Sequence, residues 1–272
     1  MSQFVGAVLR AVAMIVIVAM PAVMLPGSHD SDYFAALACL AVGCLVMAEY
    51  TATYPGLIEF RDAPPYNRFR AITAFAVLFL LTVVGVHAQG AESTLAILLR
   101  AVGHSVGAAL DFSFSPVRLM LLTVADGEAR VAEVLTPMLG LAAVVGVAAV
   151  GLFAALMRAT GWPLGRGRLN LWTNLPLFDP VAGEDVAERL RKSAAVNYSF
   201  AFLSPFLVPL GIEVGGEIVG THSGADMQVM VWTVAIWVLA PVCFAMRAMA
   251  LGKIVGMIEA QRRAAAPTAT PA

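Results

Sequence analysis

Six stretches of this chain, near 4–25, 33–54, 69–88, 134–157, 196–212 and 227–250, are long, almost uninterrupted apolar runs. A helix of roughly 20 residues crosses the roughly 30 Å hydrocarbon core of a bilayer. In that medium only helices and closed barrels satisfy their own backbone polar groups. These runs are continuous and lack the strict alternation of barrel strands. The expected fold class is therefore all-α: a polytopic integral membrane helical bundle with six transmembrane helices. Composition agrees, with 60% hydrophobic and 13% charged residues, where soluble domains carry about a quarter charged. The first run resembles a signal peptide in having Arg10 ahead of its core, but no small-x-small pattern precedes Pro26, so an uncleaved anchor is expected.

The basic residues divide the connections into two sets. Arg10, Arg61, Arg68, Arg70, Arg158, Arg166, Arg168, Arg189, Arg191, Lys192, Arg247, Lys253, Arg262 and Arg263 lie at one end of the six runs, which makes 14 of the 17 Lys and Arg. The positive-inside rule makes that end cytoplasmic, with both termini inside. The opposite connections hold Asp30, Asp32, Glu213, Glu217 and Asp226 and no Lys or Arg in 26–32 or 213–226. Arg outnumbers Lys by 15 to 2 in an Ala-rich chain. That composition points to a GC-rich bacterial source, hence a multi-pass protein of a bacterial inner (cytoplasmic) membrane.

Residues 93–125 must begin and end outside if the six spans hold. On a helix, Ser93, Arg100, His104 and Asp111 fall within about 20° of one line. Pro116 then breaks the pattern ahead of a second apolar piece, 117–124. An amphipathic outer-face helical hairpin is expected, lying on or dipping into the membrane surface. A pair of short true spans is the rival, and it leaves every other orientation unchanged. The whole of 1–262 reads as a single transmembrane domain with a cytoplasmic loop and helix over about 158–194. The tail, 263–272, is low in complexity and is expected to be disordered.

Three places could carry function. The first inner loop, 51–70, turns at Pro55-Gly56, is stiffened by Pro64-Pro65, and offers Tyr66, Arg68 and Arg70 as a docking loop for a partner or for lipid headgroups. Glu49, near the inner end of span two, is an intramembrane carboxylate, and such groups mark function unless they pair. Arg61 and Arg68 are its expected partners. With it go the polar groups of span five, Asn197, Tyr198 and Ser204, where Pro205 and Pro209 interrupt the helix. On the outer side His29, His87 and His222 sit on three separate connections near carboxylates, a donor set that suits zinc. No HxxxH or HxH pair supports them, so they are weak metal candidates. Trp162 and Trp172 read as interfacial anchors of the 158–194 segment. Cys39, Cys44 and Cys243 lie inside apolar runs and form neither a CxxC nor a disulfide pattern.

No HExxH or phosphate-binding loop is present, so neither an enzyme nor a cofactor is expected. A net charge of −1 gives no reason to expect nucleic acid as a partner. The expected partners are membrane lipid and either another membrane protein or a second copy. Glycines recur at four-residue spacing, as in Gly103/Gly107, Gly211/Gly215 and Gly252/Gly256, a pattern that lets helices approach closely. The favoured reading is a complex subunit, scaffold or assembly factor working through helix packing and cytoplasmic-loop docking. The alternative is a transporter or permease for a small solute, built on Glu49 and the Pro-broken span five. Transport makes Glu49→Ala inactive, whereas docking makes it silent and places the sensitive positions at Tyr66, Arg68 and Arg70.

Overall fold

The computed structural model describes residues 3–25, 27, 29–163, 174–176, 178, 185–219 and 226–265, with the side chains of 216–219 left aside. Among the described residues the chain is all-helical. The helices are α1 (Gln3–Met24), α2 (His29–Thr51), α3 (Tyr66–Ala88), α4 (Thr94–Leu110), α5 (Pro116–Ala125), α6 (Ala129–Ala159), α7 (Val186–Val219) and α8 (Met227–Ala265). Six of them, all but α4 and α5, are long and apolar enough to cross a membrane. They match the six expected runs one for one.

α8 is the axis of the bundle, packing against α3, α6 and α7, while α1 and α2 form a hairpin joined mainly through α3. At one end the α1–α2 turn is pinned to α8. The Gln228 amide nitrogen donates to the Leu25 carbonyl at 3.1 Å and to Asp32 at 2.9 Å. Asp226 caps α8 by accepting from the N–H groups of Gln228 and Val229, a charge well placed at a helix N-terminus. At the other end Gln3 donates to the carbonyls of Tyr50 and Thr51, and Arg10 stacks 4.7 Å from the Tyr50 ring. The large apolar side chains of α2, such as Phe34 and Leu37, remain exposed on its far face, as they do along α7.

Two helices exceed the expected spans. With 34 and 39 residues, α7 and α8 are roughly 50 and 60 Å long at 1.5 Å per residue. The helix expected within about 158–194 forms the first turns of α7, from Val186, and runs into the fifth apolar run without a break; Gly183 and Glu184 lie outside the described residues. Its partner is the last part of α8, where Arg262 forks onto Asp185 at 2.6 and 2.8 Å and Arg191 bridges to Glu259. Residues 263–265, expected to belong to a disordered tail, are helical, and 266–272 lie outside the described residues.

α4 and α5 are joined by a turn ahead of Pro116, and α4 packs on α6 while α5 packs on α6 and α7. Ser115 caps α5 by accepting from the Arg118 N–H at 2.9 Å, and Pro116 occupies the first turn, where no amide hydrogen is needed. The hairpin is seated by a close crossing of α4 on α6. A Cβ at Gly140 would lie 2.0 Å from the Gly103 carbonyl oxygen, and one at Gly107 would lie 2.3 Å from the Thr136 carbonyl oxygen. Both backbones are in contact, so neither helix can accept a side chain there. α5 fits between α6 and α7, and the turn joining α4 to α5 lines one cavity with Ala143 and Gly146, halfway along α6.

Two outcomes follow. Gly140→Ala should destabilise the protein by about 1–3 kcal/mol or more through overpacking. Gly211→Ala and Gly252→Ala, where a Cβ meets nothing within 4 Å, should be neutral or slightly stabilising; thermal unfolding in detergent compares the three. The second concerns Asp185, which Arg262 and the Ala187 N–H hold below its ordinary 3.8, at about 2. A lowered carboxyl stabilises the folded form above its ordinary value and ceases to do so as pH falls through the lowered one. Hydrogen exchange at the amides of 186–190, corrected for intrinsic rates, should therefore accelerate as pH falls from 3.8 toward about 2. In Arg262→Ala it should already be fast at neutral pH.

Candidate functional site

The most elaborated polar structure is the loop between α2 and α3, at the basic end. α2 stops at Thr51, and Glu49 on its last turn folds its carboxylate back over the following turn. It accepts hydrogen bonds from the N–H groups of Gly56 at 3.0 Å, Leu57 at 3.0 Å and Ile58 at 2.9 Å. An anion receiving three backbone donors is a charge-assisted clamp. A Cβ on Gly56 would sit 3.1 Å from the Glu49 carboxylate, so the close approach favours glycine. Arg61 completes the turn from the other side. Its guanidinium donates to the carbonyls of Glu49 at 2.6 Å and Ala52 at 2.8 Å, satisfying acceptors that the helix end leaves open. Glu49 thus meets Arg61 through its carbonyl, and its carboxylate serves the loop backbone.

The second half of the loop is an aromatic core. Phe60 turns with φ +53°, donates its N–H to the Asn174 carbonyl at 2.7 Å, and packs its ring 4.6 Å from Tyr66 and 5.4 Å from Trp162. Tyr66 in turn meets Phe153 at 5.7 Å. The Trp162 indole N–H donates to the Ala63 carbonyl at 3.0 Å. Expected as an interfacial anchor, Trp162 is instead 3% exposed, because the loop supplies both its apolar surroundings and its acceptor. Trp172 lies outside the described residues.

Glu59 ties the loop to the bundle axis. Arg247 of α8 forks onto it with contacts of 2.6 and 2.7 Å, and both side chains are mostly buried. Planar two-point pairing of this kind fixes orientation as well as distance. The loop therefore joins α2, α3, the end of α6 and α8 in one rigid plate.

Of the expected docking residues, Tyr66 is 1% exposed and belongs to the plate's interior. Arg70 lies 5.6 Å from the Tyr66 ring, and Arg68 is exposed. The outward surface of the plate is carried by Tyr54, 74% exposed, and Leu57, 60% exposed, together with Asp62 and Arg68.

The expected intramembrane set is not gathered in one place. α2, with Glu49, packs on α1, whereas α7 packs on α8 and α5. On α7, Asn197 is buried and donates to the Ser193 carbonyl of its own helix at 2.7 Å. Tyr198 is exposed, and the buried Ser204 hydroxyl has no partner. His87 places a ring nitrogen 2.9 Å from the Ala91 carbonyl, His29 starts α2, and His222 lies outside the described residues. Among the described residues no three of His, Cys, Asp and Glu are grouped so as to hold a metal ion.

The stripe expected on α4 runs beside its seam with α6. Arg100 pairs with Glu133 of α6 at 2.6 Å, and Asp111 pairs with Arg118 of α5 at 3.0 Å. His104 is exposed between them.

Comparison with protein-family models, with curated proteins and with solved structures finds no match for this chain.

Glu49→Ala leaves three loop N–H groups without their acceptor. A hydrogen bond to a charged group contributes about 1.5–3 kcal/mol, so the variant should unfold at a clearly lower temperature than the parent in the same detergent. Glu49→Gln, which retains one acceptor oxygen, should fall between the two.

Proposed function

We propose that this chain is a non-enzymatic subunit or scaffold of a membrane-embedded complex. In this reading it lies in a bacterial inner membrane with both termini and the 52–66 plate on the cytoplasmic side. The α4–α5 hairpin enters from the opposite face and stops midway. The charge asymmetry of the connections supports this orientation.

The single observation that carries the proposal is the plate itself. A solvated connecting loop needs no buried aromatic cluster, no bidentate ion pair to a distant helix and no carboxylate clamp. Here all three hold Tyr54, Leu57, Asp62 and Arg68 in fixed relative positions at the surface. A rigid patch with aromatic, aliphatic and Arg groups is the composition that protein interfaces favour, because few rotamers are lost on binding. The partner is accordingly a protein with a cytoplasmic face. Transport through Glu49 has no geometry in its favour: its carboxylate is occupied by the loop backbone, and Asn197 bonds within its own helix.

The test uses exposed positions, whose replacement leaves the clamp intact. Leu57→Glu and Arg68→Glu should each leave the unfolding temperature of the purified protein unchanged. In native membranes solubilised gently, each should shift the protein from a larger assembly to its own mass on a native gel. A parent protein that already migrates alone, or variants that leave the assembly unchanged, would overturn the reading.

A further inference from the structure

The hairpin is shorter than the space it enters. α5 has 10 residues, roughly 15 Å of helix, and lies between α6 and α7. Beyond its tip the same space continues with no helix in it, as a cavity of about 420 Å³. It is lined by Phe112 and Pro116 of the hairpin, Val147 of α6, Ala201 of α7, and Trp237 and Val242 of α8.

The lining is almost wholly apolar. Of its two polar side chains, Ser115 accepts from the Arg118 N–H, and the Trp237 indole N–H donates to the Pro205 carbonyl at 3.0 Å. The size lies within the roughly 300–1,000 Å³ of ligand sites. At the mouth, Val147 and Phe112 are 76% and 59% exposed, so access is from the hydrocarbon side.

Two exposed cations stand below this slot, Arg158 on α6 and Lys253, 11 residues past Val242 on α8; Arg158 is the one on the helix that carries the mouth. Arg158 follows Val147 by about three turns of α6, on nearly the same face and roughly 16 Å away. It is exposed and, among the described residues, has no ion pair. That separation matches one leaflet, half of the roughly 30 Å hydrocarbon core.

We propose that the slot beneath the hairpin is a phospholipid site, holding one acyl chain of an anionic lipid whose phosphate sits at Arg158. The chain takes the place that a full-length α5 would occupy, and Arg158 selects charge. This inference uses the insertion proposed above and none of the docking surface, so the two fail separately.

The whole protein, purified in mild detergent and supplied with equal amounts of phosphatidylglycerol and phosphatidylcholine, is examined by native mass spectrometry. One phosphatidylglycerol should be retained preferentially. Val147→Trp and Ala201→Trp fill the slot from opposite walls, and each should reduce retention about tenfold or more. Arg158→Gln should keep one lipid but lose the preference for phosphatidylglycerol. As a measurement on the unaltered slot, phosphatidylglycerol brominated along its acyl chain should quench a fluorescence component that is absent in Trp237→Phe. Unchanged retention in both Trp variants, equal retention of the two lipids by the parent, or quenching that survives Trp237→Phe unaltered would overturn the proposal.

Discussion

The basic end of this protein is organised around one carboxylate. A helix that stops at a membrane rim leaves carbonyls open, and the chain that follows brings unsatisfied amides into the same poorly hydrated layer. Glu49 and Arg61 resolve both problems at one point, the first taking three N–H groups and the second capping the helix carbonyls. Once that turn is fixed, Glu59 is held where Arg247 can fork onto it, and Phe60 and Tyr66 are held where Trp162 can pack. The surface proposed for docking is the outer side of this arrangement and inherits its rigidity.

A second constraint acts at the opposite end, and it is steric. Gly103, Gly107 and Gly140 bring α4 and α6 into backbone contact, which seats a hairpin too short to cross the bundle. The charges of the hairpin are paired, Asp111 with Arg118 inside it and Arg100 with Glu133 of α6. The hairpin's shortness leaves the slot, so the same glycines that fix the hairpin also determine where the cavity proposed for a lipid chain lies.

The six long helices were legible because continuous apolar runs of that length have few alternative structures. The helix break ahead of Pro116 was legible too. The seat of α4 on α6 was not, because hydropathy registers the polar stripe but cannot register a glycine contact between two helices. Glu49 was recognisable as an unusual carboxylate, yet its role depends on amides seven to nine residues later folding back, which no pairing rule anticipates. Trp162 and Tyr66 were misplaced for a related reason: amphipathic aromatics near a membrane rim look like anchors or docking groups until a loop closes over them. Arg247, a cation in the last apolar run, was the available signal for a buried partner. Glu59, 188 residues away in sequence, could be found only by folding the chain.

The most direct test of the architecture is cysteine accessibility in intact cells, with Cys39, Cys44 and Cys243 replaced and single cysteines placed at Gly90, Ser113 and Leu57. A membrane-impermeant maleimide should label position 90 from outside and position 57 only after the cells are opened. Position 113, at the hairpin tip, should resist the reagent from both sides. Labelling of 113 from outside would lay the hairpin on the surface, and labelling from inside would make α4 and α5 two full crossings; either result would contradict a half-inserted hairpin above a lipid slot.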